Sequence, residues 1–184
     1  GLAEGFAIEA LQPQTLDIFP DDVAFQAFTL TRVGTLFLLA LPLVIGVAMV
    51  VVPLQVGARA IAFPRAAAAS YWGWLLGSGL LISSYLANGG PGGGSEVGVN
   101  LWLASMGLLV VSVLTAALCL ATTVIALRAP NMTLDRTPLY AWSVAAAAVL
   151  WLLTFPVLLG LLVLMYVDHR HAGATSVGNA GGLF

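Results

Sequence analysis

The protein has 184 residues, of which 60% are hydrophobic and only 8% are charged, and its formal net charge is −2. An ordinary soluble domain carries about 25% charged residues, so this composition excludes a water-soluble protein and indicates one embedded in a lipid bilayer. All six basic residues are arginines. Nucleic-acid binding needs clustered cations to neutralise phosphates, so we expect no nucleic-acid partner.

Four apolar stretches are long enough to cross the hydrocarbon core, which takes roughly 20 residues of helix. They run over residues 33–56, 66–87, 99–127 and 137–167. Each must be a helix, because the bilayer offers the backbone no hydrogen-bond partner. The predicted fold is therefore all-α, an integral membrane bundle of four transmembrane helices over 29–170. An exterior acidic segment (1–28) would precede the bundle, and an exterior polar tail (171–184) would follow it.

The charged residues of the connecting segments sort onto two sides of the membrane. The loops after the first and third spans hold four arginines, namely Arg59, Arg65, Arg128 and Arg136. Every acidic residue except Asp135 lies on the opposite side. The positive-inside rule therefore predicts that the arginine loops are cytoplasmic and that both termini are outside. The first 28 residues contain no arginine, and we expect no signal peptide there.

Several short motifs have an ordinary structural interpretation that we favour over a functional one. The glycine-rich stretch 88–98 contains no lysine, so it predicts an exterior turn rather than a phosphate loop. His169 and His171 flank an arginine, which is a weak metal-binding pattern and more typical of a solvated helix end. Asp135 and Arg136 predict a helix cap with a loop salt bridge.

Arg32 lies at the outer edge of the first span, where we expect its side chain to extend toward the interface. Trp72, Trp74, Trp102 and Trp142 lie near span ends and predict interface anchors, whereas the deeper Trp151 predicts packing against a neighbouring helix or lipid. Pro42, Pro53 and Pro156 are expected to kink or end their helices.

Small residues at helical spacing predict close helix packing. Gly73 and Gly77 form a G-x-x-x-G motif in the second span, and alanine fills positions 66–69 and 145–148. Such smooth surfaces let helix backbones approach one another closely. The motif fits packing within the four-helix unit and packing against a partner equally well.

Four longer motifs carry a resemblance to a known family. They are IFPDDVAFQAFTLT at 18–31, LQVGARAIAFPRAAAASYW at 54–72, RAPNMTLDRTPLYAWS at 128–143, and TFPVLLG at 154–160 with VDHR closing the span at 167–170. In order and spacing they resemble helices two to five of subunit I of the haem-copper oxidases, the cytochrome c oxidase family. The resemblance covers residues 15–170 and implies a multi-pass protein of the bacterial plasma membrane. In that family the loops after helices two and four are cytoplasmic, in agreement with the arginine distribution.

The resemblance also identifies positions where this chain departs from the family pattern. The family's second helix begins with a histidine ligand of the low-spin haem, and Thr31 occupies that position, eleven residues before Pro42. Threonine is a poor iron ligand. The loop acid that opens a proton channel in the family is replaced by Ala60, and two asparagines are replaced by Ala67 and Ala68. The family's copper and high-spin haem ligands belong to later helices without a counterpart in these 184 residues.

The sequence therefore predicts a degenerate relative of subunit I, a pseudo-subunit without catalytic, cofactor-binding or metal-ligating residues and without a cofactor. Its predicted role is that of a non-catalytic accessory subunit, which stabilises an aerobic respiratory cytochrome c oxidase complex or supercomplex through transmembrane helix packing. The expected partners are other oxidase or supercomplex subunits and lipids, with no small-molecule substrate. Two alternatives stay open: a segment of a split catalytic subunit I, and a membrane assembly factor or small-molecule binder that reuses the bundle.

Overall fold

All the regular secondary structure in the described part of the chain is helical. The computed structural model describes residues 21–89, 95–129 and 137–171, and side chains are described for 28–89, 95–129, 137–167 and 169. The α-helices are α1 (Asp21–Gly34), α2 (Leu41–Val56), α3 (Pro64–Leu86), α4 (Glu96–Ala126) and α5 (Leu139–His171). A π-helical segment, Thr35–Ala40, joins α1 to α2. These elements form four helical rods, and no strand occurs within the described ranges.

Three of the rods are long and apolar enough to cross a membrane: Phe28–Val56, Glu96–Ala126 and Leu139–Val167. Three of the four predicted spans are thus shown, and α3 does not meet this criterion. Its 23 residues are long enough, but serines, glycines and aromatic residues dilute its apolar character. Several of these, including Ser70, Gly77, Ser78 and Ser84, are buried inside the bundle.

Hydrogen bonds at one end of the bundle define the relative direction of the helices. The amide of Ala129, just after α4, donates to the carbonyl of Val56 at the end of α2 (3.2 Å). The amide of Ala62, just before α3, donates to Thr123 Oγ1 of α4 (2.9 Å). The ends of α2 and α4 therefore lie beside the beginning of α3.

The opposite end of α3 lies beside the beginning of α4. Gly89 and Gly98 approach each other backbone to backbone, so closely that a Cβ atom on either would collide with the other's main chain. Ser95 caps α4 by accepting a hydrogen bond from Gly98 N at 3.3 Å. α3 therefore runs antiparallel to α2 and α4 and extends from one end of the bundle to the other.

The core centres on α4, which packs against α3, α5 and α2. Its fully buried side chains include Leu109, Val110 and Leu120. In contrast, α5 exposes large apolar residues over most of its surface, among them Leu139, Leu153 and Val157. A helix that is apolar all round belongs in lipid or against another membrane helix.

Two of the three prolines predicted to kink or end a helix lie inside a helix that continues beyond them. Pro53 lies within the last turn of α2, and Pro156 lies inside α5. Pro42 differs, because it lies in the first turn of α2, two residues after the end of the π-helical segment. At that junction Leu41 N donates to Leu36 O, five residues back instead of four. A wider turn next to a proline fits the loss of a backbone donor and the steric demand of the ring.

Candidate functional site

Thr31, at the position that the resemblance assigns to a haem ligand, lies exposed in α1. Two residues earlier, Thr29 Oγ1 lies 3.5 Å from the Tyr85 hydroxyl, which links α1 to the end of α3. Arg32, the residue after Thr31, places its guanidinium 4.5 Å from the centre of the Phe28 ring, which lies one helical turn earlier. A hydroxyl beside a cation–π pair does not fit a low-spin haem, whose iron is held by His, Cys, Met or Tyr.

The loop between α2 and α3, residues 57–63, contains the second altered position. Ala60 is exposed in this loop, Ala68 is exposed in α3, and Ala67 is half-buried. None of these methyl groups carries a proton or orders water. The loop is held in place through Thr123, whose Oγ1 accepts from Ala62 N and donates to Cys119 O (2.6 Å).

Of His169 and His171, which form the weak metal-binding pattern, the structure describes the side chain of His169 only. His169 is half-buried near the end of α5. His171 is the last residue of α5, but its side chain lies outside the described part, as do Asp135, Arg136 and the tail from residue 172. Within the described ranges, no group of three or more His, Cys, Asp and Glu residues is arranged to hold a metal ion.

The G-x-x-x-G motif packs inside the chain. A Cβ atom on Gly73 would lie 2.5 Å from Ser112 Oγ, and one on Gly77 would lie 2.9 Å from Leu109 Cγ. Both glycines therefore admit α4 to a distance that no larger residue allows. Of the two alternatives that the sequence left open, the structure shows packing within the four-helix unit.

A small cavity of about 90 Å³ lies among α2, α3 and α4. Its walls are mainly apolar, and they include the side chains of Ile45, Trp74 and Val113. Two serines line it, but Ser70 Oγ donates to Ala67 O and Ser112 Oγ donates to Leu108 O, each at 2.8 Å. Because both hydroxyl hydrogens are used within their own helices, the cavity offers little to hold water.

The tryptophans differ in environment. Trp72 and Trp142 are exposed, as expected of interface anchors, and Trp151 packs against the core as predicted. Trp102 is only 7% exposed and belongs to the core, so its assignment as an anchor was wrong. Trp74 is half-buried and donates from Nε1 to the carbonyl of Phe37 (3.0 Å). The rotation of α3 and α4 about their axes, rather than depth alone, turns these two side chains inward.

The geometry thus combines an ordered interhelical core with a threonine hydroxyl and alanine methyl groups at the positions that the resemblance singles out. The family model described as Cytochrome C and Quinol oxidase polypeptide I matches residues 2–181. The chain belongs to this family. Membership in it, together with the three apolar helices, makes the chain a membrane protein.

Curated relatives place the match at one part of a longer protein. A probable cytochrome c oxidase subunit 1-beta of Nocardia farcinica is 36% identical over 85% of this chain and 29% of the relative. A putative subunit 1-beta of Streptomyces coelicolor is 34% identical over 91% and 32%. A cytochrome c oxidase subunit 1 of Corynebacterium glutamicum is 32% identical over 80% and 28%. The chain spans about three tenths of the length of these relatives.

Proposed function

We propose that this chain is a non-catalytic accessory subunit of an aerobic respiratory cytochrome c oxidase complex or supercomplex in the bacterial plasma membrane. Thr31 carries the proposal, because it stands where the family places a haem-ligating histidine. A threonine hydroxyl is not among the groups that hold haem iron in proteins. The chain would then bind no cofactor and would act by packing its helices against neighbouring subunits and lipids.

Residues that pack the helices are retained, whereas residues that carry the family's chemistry are replaced, and this contrast supports the role. Gly73 and Gly77 keep the close contact with α4, and Thr123 keeps the loop in place. Meanwhile Ala60 and Ala67 stand at positions where the family has proton-conducting groups. A pseudo-subunit that retains its shape and has lost its chemistry would show this combination.

We further propose that α3 is a fourth membrane crossing and that both termini lie outside. α3 extends from the end shared with Val56 to the end shared with Gly98. Its 23 residues make a helix of about 35 Å, which is enough for a hydrocarbon core of about 30 Å. Its serines do not oppose insertion, since Ser70, Ser78 and Ser84 donate to carbonyls of their own helix.

A second candidate is a segment of a catalytic subunit I that works together with another polypeptide. The observation that favours it is that the relatives are about three times as long as the matched region. In that case another residue would have to replace the histidine missing at Thr31. A transient assembly factor is a third possibility, and a permanent stoichiometric place in a purified oxidase would exclude it.

Affinity purification of the tagged chain from membranes solubilised in mild detergent tests the accessory role. We expect oxidase subunits to co-purify in a constant ratio to the tagged chain. If no oxidase or other cytochrome complex co-purifies, the accessory role is abandoned.

A visible spectrum of the chain purified alone tests whether its own residues hold haem. We expect no haem Soret band at stoichiometric intensity. The Thr31→His variant, which has the family's ligand residue at this position, is measured in parallel as the matched control. A stoichiometric Soret band from the unaltered chain would show that haem is held by other residues and would favour the catalytic candidate.

A further inference from the structure

We infer that the arginine-bearing end of the bundle binds the headgroup phosphate of an anionic phospholipid. This basic end consists of residues 54–65 and 123–129. The inference rests on the proposed function only in its membrane placement, with these loops at the cytoplasmic face. It adds a specific ligand class and the residues that select it.

Three arginines from different elements lie at this end of the bundle. Arg59 lies in the loop after α2, Arg65 lies in the first turn of α3, and Arg128 follows α4. The bond from Ala129 N to Val56 O joins the residue that follows Arg128 to the chain three residues before Arg59. Arg59 and Arg65 are exposed and Arg128 is half-buried, so all three side chains keep some access to the surroundings.

The charge at the basic end is unbalanced among the described side chains. The one acidic side chain that the structure describes is Glu96, which begins α4 at the opposite end of the bundle. Asp135, in the loop before α5, lies outside the described part. Arginine presents a planar fork of donors that matches phosphate oxygens in a bidentate manner. The basic end therefore favours a phosphate-bearing anion.

Large apolar side chains are also exposed at this end of the bundle. Leu54 is 76% exposed and Phe63 is 60% exposed, and Leu127 is also exposed. Phe63 has a positive φ of 51°, which a bulky residue rarely adopts, so the backbone holds an aromatic ring outward at some cost. Exposed cations beside an exposed ring fit the headgroup region, where the arginine head meets phosphate and the ring meets acyl chains.

The short loop places the cations at headgroup depth. Residues 57–63 connect α2 to α3, so Arg59 and Arg65 cannot extend far from the helix ends. A soluble acidic protein or a polynucleotide would leave Leu54 and Phe63 in water, whereas a phospholipid covers both. Each cation near an anionic membrane surface contributes about 1 kcal/mol, or roughly fivefold in affinity.

Lipid titration of the full chain tests the inference. The purified chain is depleted of lipid in detergent and titrated with phosphatidylglycerol or phosphatidylcholine, and bound lipid is counted by native mass spectrometry. We expect phosphatidylglycerol to bind more tightly by about tenfold or more. The triple variant Arg59→Gln, Arg65→Gln, Arg128→Gln should lose that preference. The variant with lysine at the same three positions should keep only part of it, because lysine retains the charge but not the bidentate fork.

Arg32→Gln is the matched control, because Arg32 lies in α1, far from the basic end along the first rod. The inference is overturned if this variant loses the preference as the triple variant does, or if the two lipids bind equally. It is also overturned if millimolar inorganic phosphate or an acidic peptide displaces phosphatidylglycerol. Co-purification of an oxidase does not enter the measurement, so the lipid site and the accessory role can fail separately.

Discussion

The indole N–H of Trp74 in α3 donates a hydrogen bond to the backbone carbonyl of Phe37 in the π-helical segment, with an Nε1–O distance of 3.0 Å. Leu41 N donates to Leu36 O, five residues back. In that register the donor for Phe37 O would be residue 42, which is a proline without an N–H. Trp74 thus supplies, from another helix, the donor that Pro42 lacks. Because a buried backbone carbonyl without a donor costs about 1–3 kcal/mol, the π-helical segment depends on its neighbour.

Trp74→Phe should therefore destabilise the bundle. The substitution keeps an aromatic side chain but leaves the Phe37 carbonyl without a donor, at an expected cost of about 1–2 kcal/mol. The measurement is unfolding of the full chain in mixed micelles as SDS increases, followed by circular dichroism.

Two further variants make this interpretation specific. Trp72→Phe changes an exposed tryptophan and should alter stability by no more than about 0.5 kcal/mol. In a Pro42→Ala background, residue 42 regains its N–H, so the cost of Trp74→Phe should fall by at least half. An unchanged cost in that background would show that Trp74 acts by packing alone.

The close contact between α3 and α4 predicts a clash that a second substitution relieves. Gly73→Ala would place a methyl group 2.5 Å from Ser112 Oγ, and overpacking of this kind costs about 1–3 kcal/mol. Adding Ser112→Ala removes that oxygen and leaves Ser112 Cβ at 3.6 Å, an ordinary contact distance. The double variant should therefore be more stable than Gly73→Ala in the same SDS titration.

Gly79→Ala serves as the control for this pair, because nothing lies within 4 Å of a Cβ atom added there. It should cause no loss of stability. If Gly79→Ala and Gly73→Ala destabilise equally, the cost arises from the helix itself rather than from the contact with α4.

The sequence predicted the apolar rods because hydrocarbon thickness sets a minimum length that composition alone reveals. It missed the beginning of α1 at Asp21, since Asp21, Asp22 and Arg32 interrupt the apolar pattern there. Conversely, it counted α3 among the apolar spans. The serine hydroxyls of that helix are satisfied within it and its glycines face α4, so it packs in the bundle with fewer large apolar residues.

The π-helical segment and the inward-facing tryptophans could not be predicted from the sequence for a different reason. Pro42 predicted a disturbance, but the choice of a wider turn depends on Trp74 in another helix. The position of Trp102 near a span end suggested an anchor, whereas the rotation of α4 buries it. Of the candidate site, the substitutions at Thr31 and Ala60 were visible in the sequence, and so was the common side of the arginine loops. The bond from Ala129 N to Val56 O, which joins those loops, required the fold.

The loop between α2 and α3 should loosen when Thr123 is replaced by valine. Valine has the same shape but cannot accept from Ala62 N, so that amide is left without its partner at a cost of about 1–3 kcal/mol. Hydrogen exchange at residues 57–63 should accelerate by about tenfold or more. Thr122→Val is the control, because Thr122 Oγ1 donates to carbonyls of its own helix. Equal acceleration in both variants would contradict a specific role for Thr123.

The proposed topology requires residues on either side of α3 to face opposite compartments. Ala60 is exposed in the loop before α3, and Glu96 is exposed at the start of α4. Single cysteines at these positions, in a Cys119→Ala background, can be labelled with a membrane-impermeant maleimide in vesicles of known orientation. Ala60→Cys should react from the cytoplasmic face and Glu96→Cys from the outer face. Reaction of both from one face would show that α3 does not cross, and exchanged faces would preserve the crossing but reverse the orientation.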